Sequence, residues 1–356
     1  MAEIESPYCP ECDEAFAFPE PLPVNRRNFI RVAGGAAAAV ALGAAGSLRG
    51  APEQAKAEKK VRPAEELIKE LFGGLKDEQK KKVVLPYDHG PGKGRRPTRL
   101  GMYNAAIHNI RIETVYTKAQ TELIERIVKA MSSGDDGYRR ISRGGTWDAT
   151  GTFSRCGALF FGQPVWPHKC AFVFTGHHLT IRTDGDFQDG TAFAGPIYYG
   201  HSPNGYSRGN LFNYQTRSVI GLHNALDQKQ RARATVAQGN PGEMDRSIQF
   251  RARPEDRPGI PIAELSKDQK ALVEKVMRDV LSPFRKEDVD EVMLVIKRIG
   301  GTEKIKLAFF ADNYEGAKTS KEQPWSFWRL EGPGFVWNFR VLPHVHTYVN
   351  ISSKLV

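Results

Sequence analysis

Residues 325–351 read WSFWRLEGPGFVWNFRVLPHVHTYVNI, and this stretch decides the fold. Its segments 325–330, 335–342 and 345–351 are apolar and aromatic, a composition that is typical of β-strands. Earlier segments have the same character, at residues 158–162, 171–182, 191–199 and 305–311. We therefore predict that the chain is built around an aromatic-rich sheet.

Helical patterns occupy other parts of the chain. Apolar residues at helical spacing, with Thr117 as an N-cap, predict helices before and after the first loop. The motif Ser266-x-x-Gln269 matches a capping box and marks the start of a later helix. The helical patterns cover residues 58–82, 117–131, 219–226, 266–281 and 286–298.

The grouping of these elements indicates the fold class. Helices concentrate in the first and third quarters of the chain, and strands in the second and fourth. Gly-, Pro- or Asp-rich loops are predicted at residues 86–101, 134–151 and 239–261. No internal repeat is visible in the sequence. The pattern favours an α+β fold, a single large domain with an antiparallel, aromatic-rich sheet and flanking helices.

Charge and cysteine content exclude some functions and leave others open. The formal net charge is +10, but the densest basic clusters, at residues 80–82 and 95–96, lack interleaved aromatic residues. A nucleic-acid groove is therefore not expected. Cys156 and Cys170 lie in apolar runs and either pair with each other or remain buried free thiols.

The N-terminal region has the order of segments found in an export signal. Arg26 and Arg27 precede a stretch of Ala, Gly and Val that is too short and weakly apolar for a stable membrane span. Ala55 and Ala57 then form the small-x-small pattern of a cleavage site. We predict that residues 1–57 are an acidic extension plus a twin-arginine signal peptide. Residues 58–356 would form the mature domain, exported to the periplasm or another extracytoplasmic space by the twin-arginine translocase.

The acidic extension contains an isolated cysteine pair. Cys9 and Cys12 have the Cys-x-x-Cys spacing of half a zinc ribbon, but no second pair follows. We expect this segment to be discarded with the signal.

Histidines are the residues that most clearly indicate a functional site. His344 and His346 have i, i+2 spacing on a strand, so both rings project from the same face and can bind one ion. His177 and His178 point to opposite faces of a regular strand, which leaves one of them as a ligand. Gly176 precedes them and could permit a bulge that re-aims a ring.

Several motifs resemble the domain-of-unknown-function 3500 family. They are residues 175–180 (Thr-Gly-His-His-Leu-Thr), 195–200, 226–230, 330–333 and 344–347. The resemblance extends from about residue 60 to the C-terminus and implies no assigned activity. Asn338 stands where this family is expected to carry an acidic residue, and His201 where a small residue is expected. His201 could therefore substitute for a missing acidic group.

Two functions remain open. The first is an exported metalloprotein, an oxidoreductase or hydrolase, with zinc, copper or iron held by His344, His346 and one of the two adjacent histidines. His201 would be a fourth ligand or an acid–base group, and Glu331 and Tyr348 would support the ligands. The alternative is a non-catalytic binding protein for a small or sugar-like ligand. Its cleft would be lined by Trp325, Phe327, Trp328 and Trp337. The sequence specifies neither substrate nor reaction.

Overall fold

A mixed sheet of 11 strands forms the centre of this computed structural model, which describes residues 63–90, 96–165, 168–184, 190–251 and 253–353. The predicted signal and cleavage residues Arg26, Arg27, Ala55 and Ala57 lie outside the described residues. Cys9 and Cys12 lie outside them as well.

The sheet is antiparallel through its centre. Its order is β1-β2-β3-β4-β5-β11-β10-β9-β8-β6, with β7 paired to β8. Only the short pairs β1/β2 and β6/β8 are parallel among the described strands. The strands are β1 Val84–Leu85, β2 Gly157–Gly162, β3 Cys170–Gly176, β4 Leu179–Thr183, β5 Ile197–His201, β6 Thr235–Val236, β7 Ile260–Pro261, β8 Lys306–Phe310, β9 Phe327–Gly332, β10 Phe335–Arg340 and β11 Val345–Ile351.

Helices flank this sheet, which makes the fold α+β as predicted. The longer ones have one apolar face, and those side chains pack in the main core. The helices are α1 Pro63–Gly73, α2 Asp77–Val83, α3 Ile112–Val115, α4 Lys118–Met131, α5 Gly134–Ile141, α6 Asn213–Ala225, α7 Gln228–Ala234, α8 Met244–Ser247, α9 Lys267–Leu281 and α10 Lys286–Arg298.

The two halves of the described chain repeat one arrangement, which the sequence did not reveal. The series α1, α2, β1, α4, α5 and β2–β5 recurs as α6, α7, β6, α9, α10 and β8–β11. The strand order reads the same outward from the central β5/β11 pair in both directions. Matching glutamine pairs join matching helix starts, because Gln79 hydrogen-bonds Gln120 and Gln230 hydrogen-bonds Gln269. The sheet is therefore a tandem repeat joined at its middle.

The two faces of the sheet differ in polarity. Along β11, Val345 and Val349 enter the main core, whereas His346, Tyr348 and Asn350 face the opposite side. Loop segments that include one short helix, α8, cover that polar side, at residues 99–103 and 242–251. A buried polar layer is thus sandwiched between the sheet and two loops.

Several local predictions were wrong or incomplete. The helical pattern over residues 58–82 forms two helices, α1 and α2. Residues 134–141 form a helix rather than a loop, and its Ile141 is buried in the core. The segment 171–182 is two strands joined by a turn at His177 and His178. The segment 191–199 enters the sheet only from Ile197. Cys156 and Cys170 are buried free thiols, which settles the alternative left open above.

Candidate metal centre

Three imidazoles converge on the polar side of the sheet. The Nε2 atom of His344 lies 3.2 Å from Nε2 of His178 and 2.9 Å from Nε2 of His346. The three potential ligand atoms all lie within 4.8 Å of one another. This group, His178, His344 and His346, is called the histidine cluster below.

Strand pairing places the rings of the cluster. His346 on β11 is opposite Gly200 on β5, and a Cβ atom at Gly200 would stand 3.1 Å from Cδ2 of His346. Glycine at this position therefore leaves room for the imidazole. His344 lies just before β11, so its ring reaches the same space from the strand end.

A tight turn brings the third ring into the cluster. His178 has a φ of 52°, a left-handed conformation that is uncommon for a non-glycine residue. Its N–H donates to Oδ1 of Asn104 at 2.6 Å, and its carbonyl accepts from the Gly200 N–H at 3.0 Å. The bonded turn, and not a bulge at Gly176, aims the ring of His178.

Two carboxylates bind the Nδ1 atoms of the cluster, on the side of each ring opposite its Nε2 atom. Nδ1 of His178 lies 2.7 Å from Oδ2 of Asp148, and Nδ1 of His346 lies 2.5 Å from Oε2 of Glu243. The hydroxyl of Tyr348 donates to the same Glu243 oxygen at 2.7 Å. With Nδ1–H donated to a carboxylate, each Nε2 presents a lone pair, as in carboxylate–histidine–metal arrangements.

A buried arginine touches the third imidazole. Nη2 of Arg340 lies 2.8 Å from Nε2 of His344, and Nε donates to the His344 carbonyl at 3.0 Å. Because arginine can only donate, Nε2 of His344 is also an acceptor. The lone pair of His344 Nε2 thus accepts from Arg340 beside the lone pairs of His178 and His346, with the Glu243 carboxylate 3.4 Å from Arg340 as a balancing charge.

Burial keeps the cluster uncharged. It lowers the pKa of His344 to about 2, with the nearby Arg340 charge adding to the effect. Burial, followed by the Arg340 charge, also holds the pKa of His346 well below its usual value. Burial also lowers the pKa of His178, although its hydrogen bond to Asp148 acts in the opposite direction. Neutral imidazoles are the form that binds metal ions.

The two carboxylates respond differently to the same surroundings. Burial raises the pKa of Glu243, and the Arg340 charge opposes it without cancelling it. Burial also acts to raise the pKa of Asp148, but the hydrogen bond from His178 and the nearby imidazoles of His177 and His201 outweigh it and lower the pKa. Asp148 is therefore ionised and places a negative charge beside the cluster.

His177 and His201 lie on the Asp148 side. Nδ1 of His201 is 3.5 Å and Nδ1 of His177 is 3.8 Å from Oδ2 of Asp148. Their side chains are 21% and 12% exposed, against 1% for His178. Both histidines thus form an outer group around the carboxylate on the side that solvent reaches.

Of the two residues predicted to support the ligands, Tyr348 lies at the histidine cluster and Glu331 does not. Tyr348 contacts Glu243, as described above. Glu331 instead accepts from Arg329 at 2.8 Å and from Arg251 at 2.6 Å, two strands away from His346. Glu243 therefore occupies the place expected for Glu331. Asn338 is also structural, because its amide donates to the Gly242 carbonyl at 3.0 Å, beside Glu243.

The aromatic residues expected to line a ligand cleft are core residues. Trp325, Phe327, Trp328 and Trp337 are each at most 1% exposed. Trp328 stacks on Phe339, with ring centroids 5.3 Å apart. That cleft prediction was wrong, since aromatic strand residues on the core side bury their rings against neighbouring elements.

Sequence reasoning missed Asp148, Glu243 and Arg340. Asp148 and Glu243 belong to segments that it assigned to loops, and Arg340 has no spacing that links it to His344. The only available signal was the shared Gly and Asp content around Asp148, which is common to many loops. Long-range packing brings Asp148 and Glu243 to the histidines, whereas Arg340 reaches His344 across the short turn between β10 and β11.

Comparisons with known proteins identify an export signal and a family. A twin-arginine translocation signal matches residues 23–43, so the chain is an exported protein. Within the described residues, no helix has the length and apolar character needed to cross a membrane. No curated protein and no solved structure matches the chain. The family described as protein of unknown function (DUF3500) matches residues 56–351, and the chain therefore belongs to that family.

Proposed function

We propose that this exported protein binds one transition-metal ion through Nε2 of His178, His344 and His346. The main support is the position of three ring nitrogens: Nε2 of His344 lies 2.9 Å from Nε2 of His346 and 3.2 Å from Nε2 of His178. Bonds of about 2.0–2.1 Å to one tetrahedral ion place neighbouring nitrogens about 3.3–3.4 Å apart. The cluster is therefore close to a ligand set before any rearrangement.

Electrostatics supports the same proposal. Nε2 of His178 and Nε2 of His346 each present a lone pair to this buried space, and Nε2 of His344 adds a third when it exchanges the N–H of Arg340 for an ion. Because burial lowers the pKa of all three histidines, a proton is a poor candidate for that ion. A metal ion satisfies the three acceptors together, while Asp148 and Glu243 offset its charge.

The donor set narrows the choice of metal. Neutral imidazoles suit zinc, copper and iron. Burial raises the pKa of Cys156 and Cys170 to about 12, so neither offers a ready thiolate. The twin-arginine route carries folded proteins, which allows an ion to be loaded before export.

The surroundings favour chemistry at the ion over a purely structural role. Three protein ligands leave a coordination position for water or oxygen, whereas structural sites are usually closed by four. The outer histidines His177 and His201, with Asp148, lie on the solvent-accessible side. We therefore propose a metal-dependent oxidoreductase or hydrolase, with Asp148 ionised near the ion and the two histidines beside it on the solvent-accessible side.

Metal content of single variants tests the binding proposal. The exported protein would be purified and its metals measured by elemental analysis, for the wild type and for His178→Ala, His344→Ala and His346→Ala. Each variant should lose most of the bound metal, because the remaining ligands no longer enclose the ion. His223→Ala is the matched control, since its half-buried ring packs on Phe309, 4.9 Å away, outside the cluster.

The outcomes separate binding from stability. The control should lose stability, in the range of about 0.5–3 kcal/mol, but keep its metal. His177→Ala should behave like the control. If the cluster variants retain metal at the wild-type level while folded, the proposal fails.

A further inference from the structure

A basic cleft lies at the start of α6, separate from the histidine cluster. Three arginines line it, Arg140 from α5, Arg208 from the preceding loop and Arg217 from α6 itself. Its volume is about 410 Å³, and its remaining lining residues are Asn210, Leu211, Asn213 and Tyr214. Every lining residue is described, and none of them is acidic.

The framework of this cleft is well bonded. Arg140 donates to the Leu211 carbonyl at 2.7 Å and to Asp136 at 2.8 Å, and its guanidinium stands 4.2 Å from the centre of the Tyr214 ring. Asn210 is 4% exposed and donates to the His201 carbonyl at 2.7 Å. The cleft therefore has a fixed wall and floor.

The other two arginines are not neutralised. Arg208 and Arg217 are exposed, and neither forms an ion pair in the described part of the chain. The first turn of α6 contains no acidic residue, so the positive end of its dipole adds to the two charges. Placing like charges together in this way is unfavourable unless an anion binds among them.

The internal repeat shows that the fold does not require this charge. A related cleft lies at the start of α1, where the first turn contains Glu65 and Glu66. Asp288 and Glu291 of α10 also line that cleft, and α10 is the repeat counterpart of α5. Arg182 and Arg285 line the α1 cleft as well, together with Glu65 and Asp184, so its lining has an excess of acidic residues, whereas the lining of the α6 cleft is basic.

We infer that the α6 cleft binds a small, multiply charged oxyanion of the phosphate class. Guanidinium groups bind phosphate oxygens through pairs of charge-assisted hydrogen bonds. Phosphate could arrive dissolved or as a lipid headgroup. This site does not depend on the proposed metal, and its ligand can be measured with the histidine cluster intact.

Binding of inorganic pyrophosphate by the exported protein tests this inference. Titration calorimetry would compare the wild type with Arg208→Ala plus Arg217→Ala. The control carries Arg126→Ala plus Arg298→Ala, which removes two exposed helical arginines outside the cleft. A second arm would measure binding to vesicles with and without phosphatidylglycerol.

The cleft double variant should bind at least about tenfold more weakly than the control. Binding of dissolved pyrophosphate would identify free phosphate as the ligand source, and vesicle binding without it would identify a headgroup. Absence of both, or an equal loss in the control variant, would overturn the inference. Circular dichroism and the melting temperature serve as the check that the double variant is folded.

Discussion

At the scale of single residues, two buried glutamates have different tasks. Glu243 binds His346 and Tyr348 at the histidine cluster, whereas Glu331 balances Arg329 and Arg251. Each carboxylate accepts hydrogen bonds from side-chain donors that are shielded from solvent. Removing either charge leaves buried partners uncompensated, but only one set of partners belongs to the proposed metal centre.

Glu243→Gln should therefore weaken metal binding by about 10–100-fold, because it removes the acceptor that orients and polarises His346. Competition with a chelator of known affinity measures this. Glu331→Gln is the control, and it should lower the free energy of unfolding by about 3–5 kcal/mol with unchanged metal affinity. Equal weakening in both variants would mean that lost stability, and not the His346 contact, controls binding.

The two described cysteines should be inert in the folded protein. Burial raises the pKa of Cys156 and Cys170 to about 12, so their reactive thiolate forms are scarce at pH 8. In the exported form, iodoacetamide should label neither thiol natively and both after unfolding, as read by mass spectrometry. Rapid native labelling, or a mass showing a disulfide, would contradict their placement.

Individual residues also explain which parts of the site could be predicted from the sequence. The spacing of His344 and His346 follows strand periodicity, so the sequence alone pairs them on one face. It could not choose between His177 and His178, because the choice depends on a turn whose φ is set by Asn104 and Gly200. Asp148 and Glu243 come from loops whose positions are fixed only by packing.

At the scale of secondary-structure elements, side-chain caps define where the repeated helices begin. Oγ1 of Thr117 accepts from the Gln120 N–H at the start of α4, and Oγ of Ser266 accepts from the Gln269 N–H at the start of α9. Both caps were visible in the sequence, and both helices match their predictions. A cap acts through neighbouring residues, which explains why sequence reasoning succeeds there.

Thr117→Ala and Ser266→Ala should each lower the free energy of unfolding by about 1 kcal/mol, because a helix-start N–H loses its acceptor. Denaturant titration measures the change. Ser266→Asn, which can still accept, should recover most of it. Metal content should stay at the wild-type level, and a loss of metal in these variants would mean that the helices position the cluster directly.

Other elements could not be predicted because their causes are not local. The eight-residue α5 contains Gly134 and Gly137, which disfavour a helix. Two long-range contacts nevertheless stabilise it: Ile141 packs in the core, and the Ser133 N–H donates a hydrogen bond to the Pro283 carbonyl. The sheet order depends on which strands meet at β5 and β11. Strand patterns alone carry no such pairing information.

At the scale of the whole molecule, the repeat is symmetric in fold and asymmetric in chemistry. The pairing of Leu179 with Tyr199 corresponds to that of Phe335 with Ile351. The segment before β5, residues 192–194, is a 3-10 turn without histidine, whereas the corresponding end of β11 carries His344 and His346. The turn at residues 333–334, Pro-Gly, replaces the His177–His178 turn. Only one end of the polar layer therefore carries the histidine cluster.

Export also belongs to the whole chain. Replacing Arg26 and Arg27 together by lysine should retain the precursor in the cytoplasm, because the arginine pair directs the chain to the translocase. Cell fractionation measures this, and N-terminal sequencing should place the start of the exported form near Glu58. An exported protein that still carries Cys9 and Cys12 would contradict the cleavage prediction, and unchanged export of the double variant would contradict the role of the arginines.

X-ray absorption spectroscopy on the exported protein tests the central claim most directly. The metal edge identifies the element, and the fine structure reports the distances and types of its ligands. We predict zinc, copper or iron with at least three imidazole nitrogens at about 2.0–2.1 Å, and loss of that signal in His344→Ala. A protein that holds no metal after purification and reconstitution, or an ion without imidazole ligands, would contradict the account.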